Sequence, residues 1–415
     1  MASSSKVHLS PSQKLVFRVP GITSETANVT SELLQKNHEK HHIFFNYAGF
    51  HNHIAHHLLS LFALNATVAE LRQGWDDNVS YQRPLLPFEQ SIVTEMHNPE
   101  RYKAYLGNEK HYHNFLVFFG EEISHKGWQE VLNDYVFNGD ARADDMLVRM
   151  FSGVLHPIIH LGFGVEFEQP AIIAEALAQA AVHHNREASH LIDSEKAAKA
   201  QGSDSKPIVL LLDEIYADPD RASRNITKYA SQVHVSEENL EEKTAEMINA
   251  AVYFTGAAQN PPYQVKFDFF YIHAVNLGIF FCSFLQQPWL SMPSKTRLLE
   301  WKIRMDLAMY ASPRPPELLL DEIVNYKSKK DSSWEDIFKR VKIYHDDGHA
   351  CKLVRALANA EQFCKKYEDQ DGFVIKGDMW RKLGNMAIDS VEAGSPDYVR
   401  GGAWSSVPLR DPSKI

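Results

Sequence analysis

The stretch FDFFYIHAVNLGIFFCSFL, Phe267 to Leu285, decides the fold class, because it is long enough either to span a bilayer or to run through the middle of a folded core. Asp268, His273, Asn276 and Ser283 interrupt it, so it reads as a buried core helix and no stable membrane span is expected. Working outward, the flanking segments show helical periodicity with short Pro, Gly and Asp punctuation: Ser31 to Gly49, His51 to Ala63, Asn108 to His125, Asp144 to Phe163, Ala171 to Leu191, Glu237 to Gly256, Thr296 to Met309, Gly348 to Tyr367 and Gly377 to Glu392. The only hint of a strand is FRVPGI, residues 17–22. The expected fold is therefore all-α, a single large multi-helix domain over residues 26–395, with an irregular N-terminal segment 1–25 and a C-terminal tail 396–415. The candidate breaks, GSDSKP at 202–207, QNPP at 259–262 and SPRPP at 312–316, are too short to be free linkers.

Apolar residues make up 44% and charged residues 23%, which excludes wholesale disorder. A balance of 43 basic to 53 acidic residues has the wrong sign for a protein that neutralises phosphates, so nucleic acid is excluded as a partner. Three scattered cysteines and a start, MASSSKVHLSPSQK, without an apolar core point to a reducing, cytoplasmic setting. Histidine is the outlier: its 21 copies outnumber glycine at 20. Imidazole is the usual neutral metal ligand and physiological acid or base, so the search for chemistry starts there.

Residues four apart share a helix face, and H-x-x-x-H offers two nitrogens to one ion. His53/His57 in HNHIAHH, His156/His160 in HPIIH and His345/His349 in HDDGH have this spacing. The flanks of His156 and His160, MFSGVLHPIIHLGFGVEF, are almost wholly apolar, so both imidazoles need a buried partner, and a metal ion would serve both. Pro157 stays helical only if the helix kinks or begins nearby. His273, inside the opening stretch, needs a partner for the same reason. Asp347 and Gly348 resemble a helix start that places His349 in the first turn; His345 reads as a solvated surface residue. Histidines 38, 41, 42, 97, 111, 113, 125, 183, 184, 190 and 234 lie in polar contexts and read as surface. No carboxylate stands out as an anionic ligand. Lys376, behind Phe373, Val374 and Ile375, reads either as an ordinary snorkelling lysine or as a desolvated amine that takes up CO2 to become a carbamate.

Five segments, HNHIAHHLLSLFALNA, VLHPIIHLGFGVEF, HAVNLGIF, DDGHACKLVRALA and GNMAIDSVE, in this order, resemble the fungal questin oxidase-like family over residues 45–395. The resemblance implies an enzyme that cleaves an anthraquinone, or its reduced hydroquinone form, in polyketide secondary metabolism. Within that family it is similar to an iron-dependent branch with Fe(2+) held by four histidines and a carboxylated lysine, and with O2 as co-substrate. Carried over, that pattern places the lysine on Lys376 and one or two histidines on His156 and His160. It places the N-terminal ligand on His57 or His53, and the last on His273 or His349. Asp347 is a candidate proton donor.

An NADPH-dependent Baeyer–Villiger monooxygenase is the alternative enzyme reading. No G-x-G-x-x-G follows a strand, so NADPH would act only indirectly, through a separate reductase. A di-metal carboxylate oxidase would use Glu39/His42, Glu122/His125 and Glu187/His190, all in polar surroundings. A non-catalytic helical binding scaffold would leave the histidines as packing.

Overall fold

The computed structural model describes residues 1–411 apart from 203–204, 223, 313, 331 and 402, so parts of the breaks at 202–207 and 312–316 and the last four residues of the tail lie outside the described residues. The chain is helical, and among the described residues the only strands are Phe267–Asp268 and Tyr398–Val399, paired in parallel. Residues 17–22 form no strand; Val19 instead hydrogen-bonds the Ala63 carbonyl at 2.8 Å. The tail, expected to be irregular, supplies the second strand.

The contacts group into two compact units, each assembled from separate parts of the chain. Unit 1 comprises Met1–Ala188, Ser283–Ser294 and His345–Lys352; unit 2 comprises Ser189–Cys282, Lys295–Tyr344 and Leu353–Ile415. Interleaved segments leave no single linker to be read from composition.

In unit 1 the principal helices are α1 Ser24–Lys40, α2 Ile54–Ala63, α3 Val68–Val79, α4 Tyr112–Lys126, α5 Ser152–Glu166 and α6 Pro170–Val182. Thr23 and Thr67 start α1 and α3 with capping boxes, and Pro170 starts α6 where a missing N–H costs nothing. Every residue of α2 is buried, as is Ala171 to Val182 of α6, which packs on α4 and α5. Gly164 permits the α5–α6 approach, since a Cβ there would lie 2.7 Å from Ile173 Cγ1. Gly153, Val154 and Leu155 have left-handed φ values of 55°, 54° and 66°, and the chain turns by 98° between the helix Ala141–Met150 and α5. Right-handed helix resumes at His156, so Pro157 falls in a first turn and needs no kink.

In unit 2 the main helices are α7 Leu240–Ala257, α8 Phe269–Leu285, α9 Met292–Ala311, α10 His349–Cys364 and α11 Met379–Glu392; the ends of α8 and the starts of α9 and α10 belong to unit 1. The opening stretch is thus the mostly buried α8, and among the described residues no single helix is long and apolar enough to cross a membrane. Trp301 and Trp380 are the largest fully buried side chains.

Candidate metal centre

Three helix starts in unit 1 bring three buried imidazoles together. His53 precedes α2, His156 opens the right-handed part of α5, and His349 begins α10. One nitrogen from each lies within 4.8 Å of the others, and the Nε2 atoms of His53 and His156 are 2.9 Å apart. Among the described residues this is the one group arranged to hold a metal ion, and none of the E-x-x-H pairs falls in it.

Local sequence explains the convergence. Asp346 accepts from the N–H groups of Gly348 and Ala350, both at 2.8 Å, and so caps the start of α10. Gly348, at φ +95°, passes so near α2 that a Cβ would stand 2.6 Å from His57 Cβ; only glycine fits. Asp347 then reaches both neighbours: His53 Nδ1–H donates to its Oδ2 at 2.8 Å, and His349 Nδ1–H to its Oδ1. His156 Nδ1–H donates to the Gly153 carbonyl at 2.6 Å, a contact made by the left-handed turn.

These bonds set the chemistry. A carbonyl or ionised carboxylate only accepts, so all three imidazoles carry hydrogen on Nδ1 and, when neutral, a lone pair on Nε2. Burial, reinforced by Lys352, pushes the His53 imidazole down to about 3, so it is neutral at physiological pH. Two lone pairs 2.9 Å apart repel, and a cation between them turns that repulsion into ligation. The donor set therefore fits a metal ion, with Asp347 as the carboxylate that orients two ligands from behind. Burial works against the Asp347 charge, but His349 and His53 more than offset it and hold this carboxyl well below its usual range. Asp347 is accordingly an acceptor here and not the expected proton donor.

Other expected residues fall elsewhere. His57 is turned toward α3, where Asn78 Nδ2 donates to its Nδ1 at 3.1 Å. His160 finds its buried partner in Glu175, at 2.8 Å, so the apolar flanks demanded a partner but a carboxylate supplied it. His273 lies in unit 2, its Nδ1 bonded to the Phe269 carbonyl at 2.6 Å within its own helix. Lys376, also in unit 2, is exposed: Asn249 pins the extended chain at Val374 and Ile375, burying Phe373 and Ile375 and turning Lys376 outward. The desolvation expected of Lys376 is absent. His345 is exposed beside Asp77, as expected, whereas His42, read as surface, is buried.

Two features escaped the sequence reading. Lys352 stands one turn past His349, is 4% exposed, and its Nζ has no hydrogen-bond partner among the described residues. Burial pushes its amine down to about 8 against the pull of Asp347 and Asp346. The signal was a lone lysine at i+3 from a histidine in HACKLVRALANA. His51, unweighed beside His53, stacks on His156 at 3.8 Å between centroids and bonds His183 Nε2 at 2.9 Å. His183, Gly153, Val154, Phe44 and Tyr47 line a surface cleft of about 580 Å³ in the same unit.

An all-α unit centred on converging imidazoles defines a histidine-rich candidate metalloprotein. A family profile described as questin oxidase-like matches residues 50–357, and the chain belongs to that family. It is 39% identical to a Baeyer-Villiger oxidase of Pestalotiopsis microspora over 94% of this chain and 95% of the relative. It is 34% identical to the questin oxidase of Aspergillus fumigatus over 98% of this chain and 100% of the relative. A further relative, 37% identical over 92% of this chain and 82% of its own length, is oxidoreductase AflY of Aspergillus parasiticus. The chain is an oxidoreductase of this family.

Proposed function

We propose that the chain is a non-haem Fe(2+) oxygenase that uses O2 to cleave the central ring of an anthraquinone, presented as its hydroquinone, in fungal polyketide secondary metabolism. The observation that carries this reading is the set of three buried imidazoles, each with Nδ1 committed to an acceptor and one nitrogen of each within 4.8 Å of the others. Neutral nitrogen donors with oriented partners suit a redox-active divalent ion. His53, His156 and His349 would hold it, and Lys352 would complete the set as a CO2-derived carbamate, taking the place expected for Lys376. Bound iron supplies the one-electron chemistry that lets O2 react with a closed-shell aromatic. The residues of the chain supply the rest: Asp347 keeps two imidazoles in one tautomer, and the 580 Å³ cleft has the volume of a small-molecule site.

The names of the relatives favour a second reading, a Baeyer–Villiger monooxygenase, for which NADPH would be the reductant. Since the strands among the described residues are two residues long, the reductant would reach the chain as reduced substrate from a separate reductase.

Anaerobically prepared protein should carry stoichiometric iron, lost in His156→Ala, and should open an anthrahydroquinone when O2 is admitted. Bicarbonate-depleted buffer, or Lys352→Ala, should lower iron retention. Labelled O2 separates the readings, two atoms incorporated for a dioxygenase and one for a monooxygenase. Ring opening at full rate by metal-free protein, or without O2, sinks the iron reading.

A further inference from the structure

We propose that His38, Glu175, His160 and His56 form a buried proton path between a surface cleft and the histidine centre, with Glu175 as the positioning residue that sets its direction. The destination rests on the reading above; the path itself rests on four helices of unit 1, each of which supplies one link. His38 on α1 bonds Glu175 Oε1 at 2.6 Å, His160 on α5 bonds Oε2 at 2.8 Å, and His56 Nε2 on α2 lies 3.1 Å from His160 Nδ1. Glu175 sits in α6, PAIIAEALAQAAV, where a carboxylate is costly and apolar side chains would pack as well. His38, Glu175 and His160 all lie more than three residues from any member of the triad.

The hydrogens along the path follow from Glu175. Burial pushes its carboxyl up, but the bonds from His160 and His38 outweigh burial and hold it at about 2, ionised. An ionised carboxylate only accepts, so His38 Nδ1 and His160 Nε2 both donate. His160 Nδ1 then holds a lone pair and accepts from His56 Nε2–H, which leaves the lone pair of His56 on Nδ1. That atom is buried and has no hydrogen-bond partner among the described residues. The His56 ring lies 5.9 Å from that of His53 and 6.3 Å from that of His156, so the unsatisfied end of the path abuts the centre. At the other end His38 lines a cleft of about 550 Å³ with Glu39, His113, Glu121 and His125.

A proton released at the centre by a phenolic hydroxyl forms an N–H bond at His56 Nδ1. The His56 Nε2–H bond breaks as His160 Nδ1–H forms, and the His160 Nε2–H bond breaks as Oε2–H forms on Glu175. The path passes from one negative charge to none. His38 exchanges its own protons with water in the cleft; once it presents a lone pair at Nδ1, the carboxyl group turns its O–H from His160 to His38, that O–H bond breaks as His38 Nδ1–H forms, and the carboxylate is restored, after which the His160 and His56 rings turn over to regain their Nε2–H forms.

The test begins with metal-free protein, so that its outcome is independent of iron and turnover. Nitrogen NMR of 15N-histidine-labelled protein should show His160 and His56 as Nε2–H tautomers. Glu175→Gln should reverse His160, because the amide nitrogen donates where the carboxylate accepted. In the iron-loaded enzyme, Glu175→Gln and the edge variant His38→Ala should each slow turnover at least about tenfold. The solvent isotope effect should rise and the melting temperature should hardly move; added imidazole should restore His38→Ala through the cleft. An Nδ1–H tautomer at His160 or His56 in the unmodified protein overturns the path. So do unmodified rates and isotope effects in both variants.

Discussion

Unit 1 buries its polar groups as imidazoles, and unit 2 buries them as ion pairs. In unit 1, His42, His53, His56, His57, His156, His160 and His349 are all buried. Of the 21 histidines only His190, His234 and His273 belong to unit 2. There the buried or part-buried charges include the ion pairs Lys302 with Asp306, Arg304 with Glu300 at 2.9 Å, Lys243 with Glu246 at 2.6 Å and Arg340 with Asp389 at 2.5 Å. Opposite charges in contact cancel locally and serve structure. A neutral imidazole is cheaper to bury and keeps a lone pair for a metal ion or a proton, so the unit built on it is the one equipped for chemistry.

Acid should break the comparison open with the largest effect. Burial holds the His42, His57 and His183 imidazoles down to about 4 in the folded chain, against 6.5 when unfolded. A depressed folded value means the stabilisation is present above 6.5 and is lost as pH falls toward 4, up to about 3 kcal/mol for each such group. Unit 2 behaves otherwise. Burial raises the Asp306 carboxyl to about 6, so its contribution is lost as pH rises and regained as pH falls. Glu195, held at about 2 by Arg297 and Lys199 against burial, gives way only below its unfolded value near 4.5. Hydrogen exchange of the metal-free chain at pH 7, 5 and 4 should show unit 1 losing protection first; loss beginning in unit 2 would refute the contrast.

Next in size, Lys302→Met should cost about 3–5 kcal/mol by stranding the buried Asp306. Lys302→Met with Asp306→Leu should recover most of that loss in urea unfolding. A double variant as unstable as the single would mean that the pair does more than cancel charge. Smaller again, Asp347→Asn should weaken metal affinity about 10–100-fold, because one carboxylate oxygen that accepts from an imidazole becomes an amide that donates. Metal titration measures it, and unchanged affinity would remove Asp347 from the centre. Smallest of all, Val154→Gly should stabilise the chain by up to about 1 kcal/mol, since a β-branched residue at φ 54° is strained and glycine is not, less the entropy that glycine adds to the unfolded chain. A shift in the urea midpoint reports it.

The helical class was legible because periodicity is local: the opening stretch is α8, two residues shorter at its start. His156 was legible from apolar flanks that no surface histidine has. The convergence of His53, His156 and His349 was not, since it depends on three helix starts meeting and on Gly348 passing close to His57. Lys376 was misread because apolar neighbours imply burial only on the same face. In an extended segment, Phe373 and Ile375 point inward and the next alternate position points out. Glu175 carried a readable signal, a single charge in an otherwise apolar helix, which demands a partner even when the sequence does not name it.

The short piece His345–Lys352 belongs to unit 1 although the chain on both sides of it belongs to unit 2. During synthesis this sets a clock. His53 and His156 leave the ribosome long before His349, so a nascent chain holds two thirds of a binding site that cannot close until most of the polypeptide has been made. Under the proposed metal reading, capture of an ion would wait for this late segment, and a product truncated before Asp347 would lack both the third imidazole and the carboxylate that orients it.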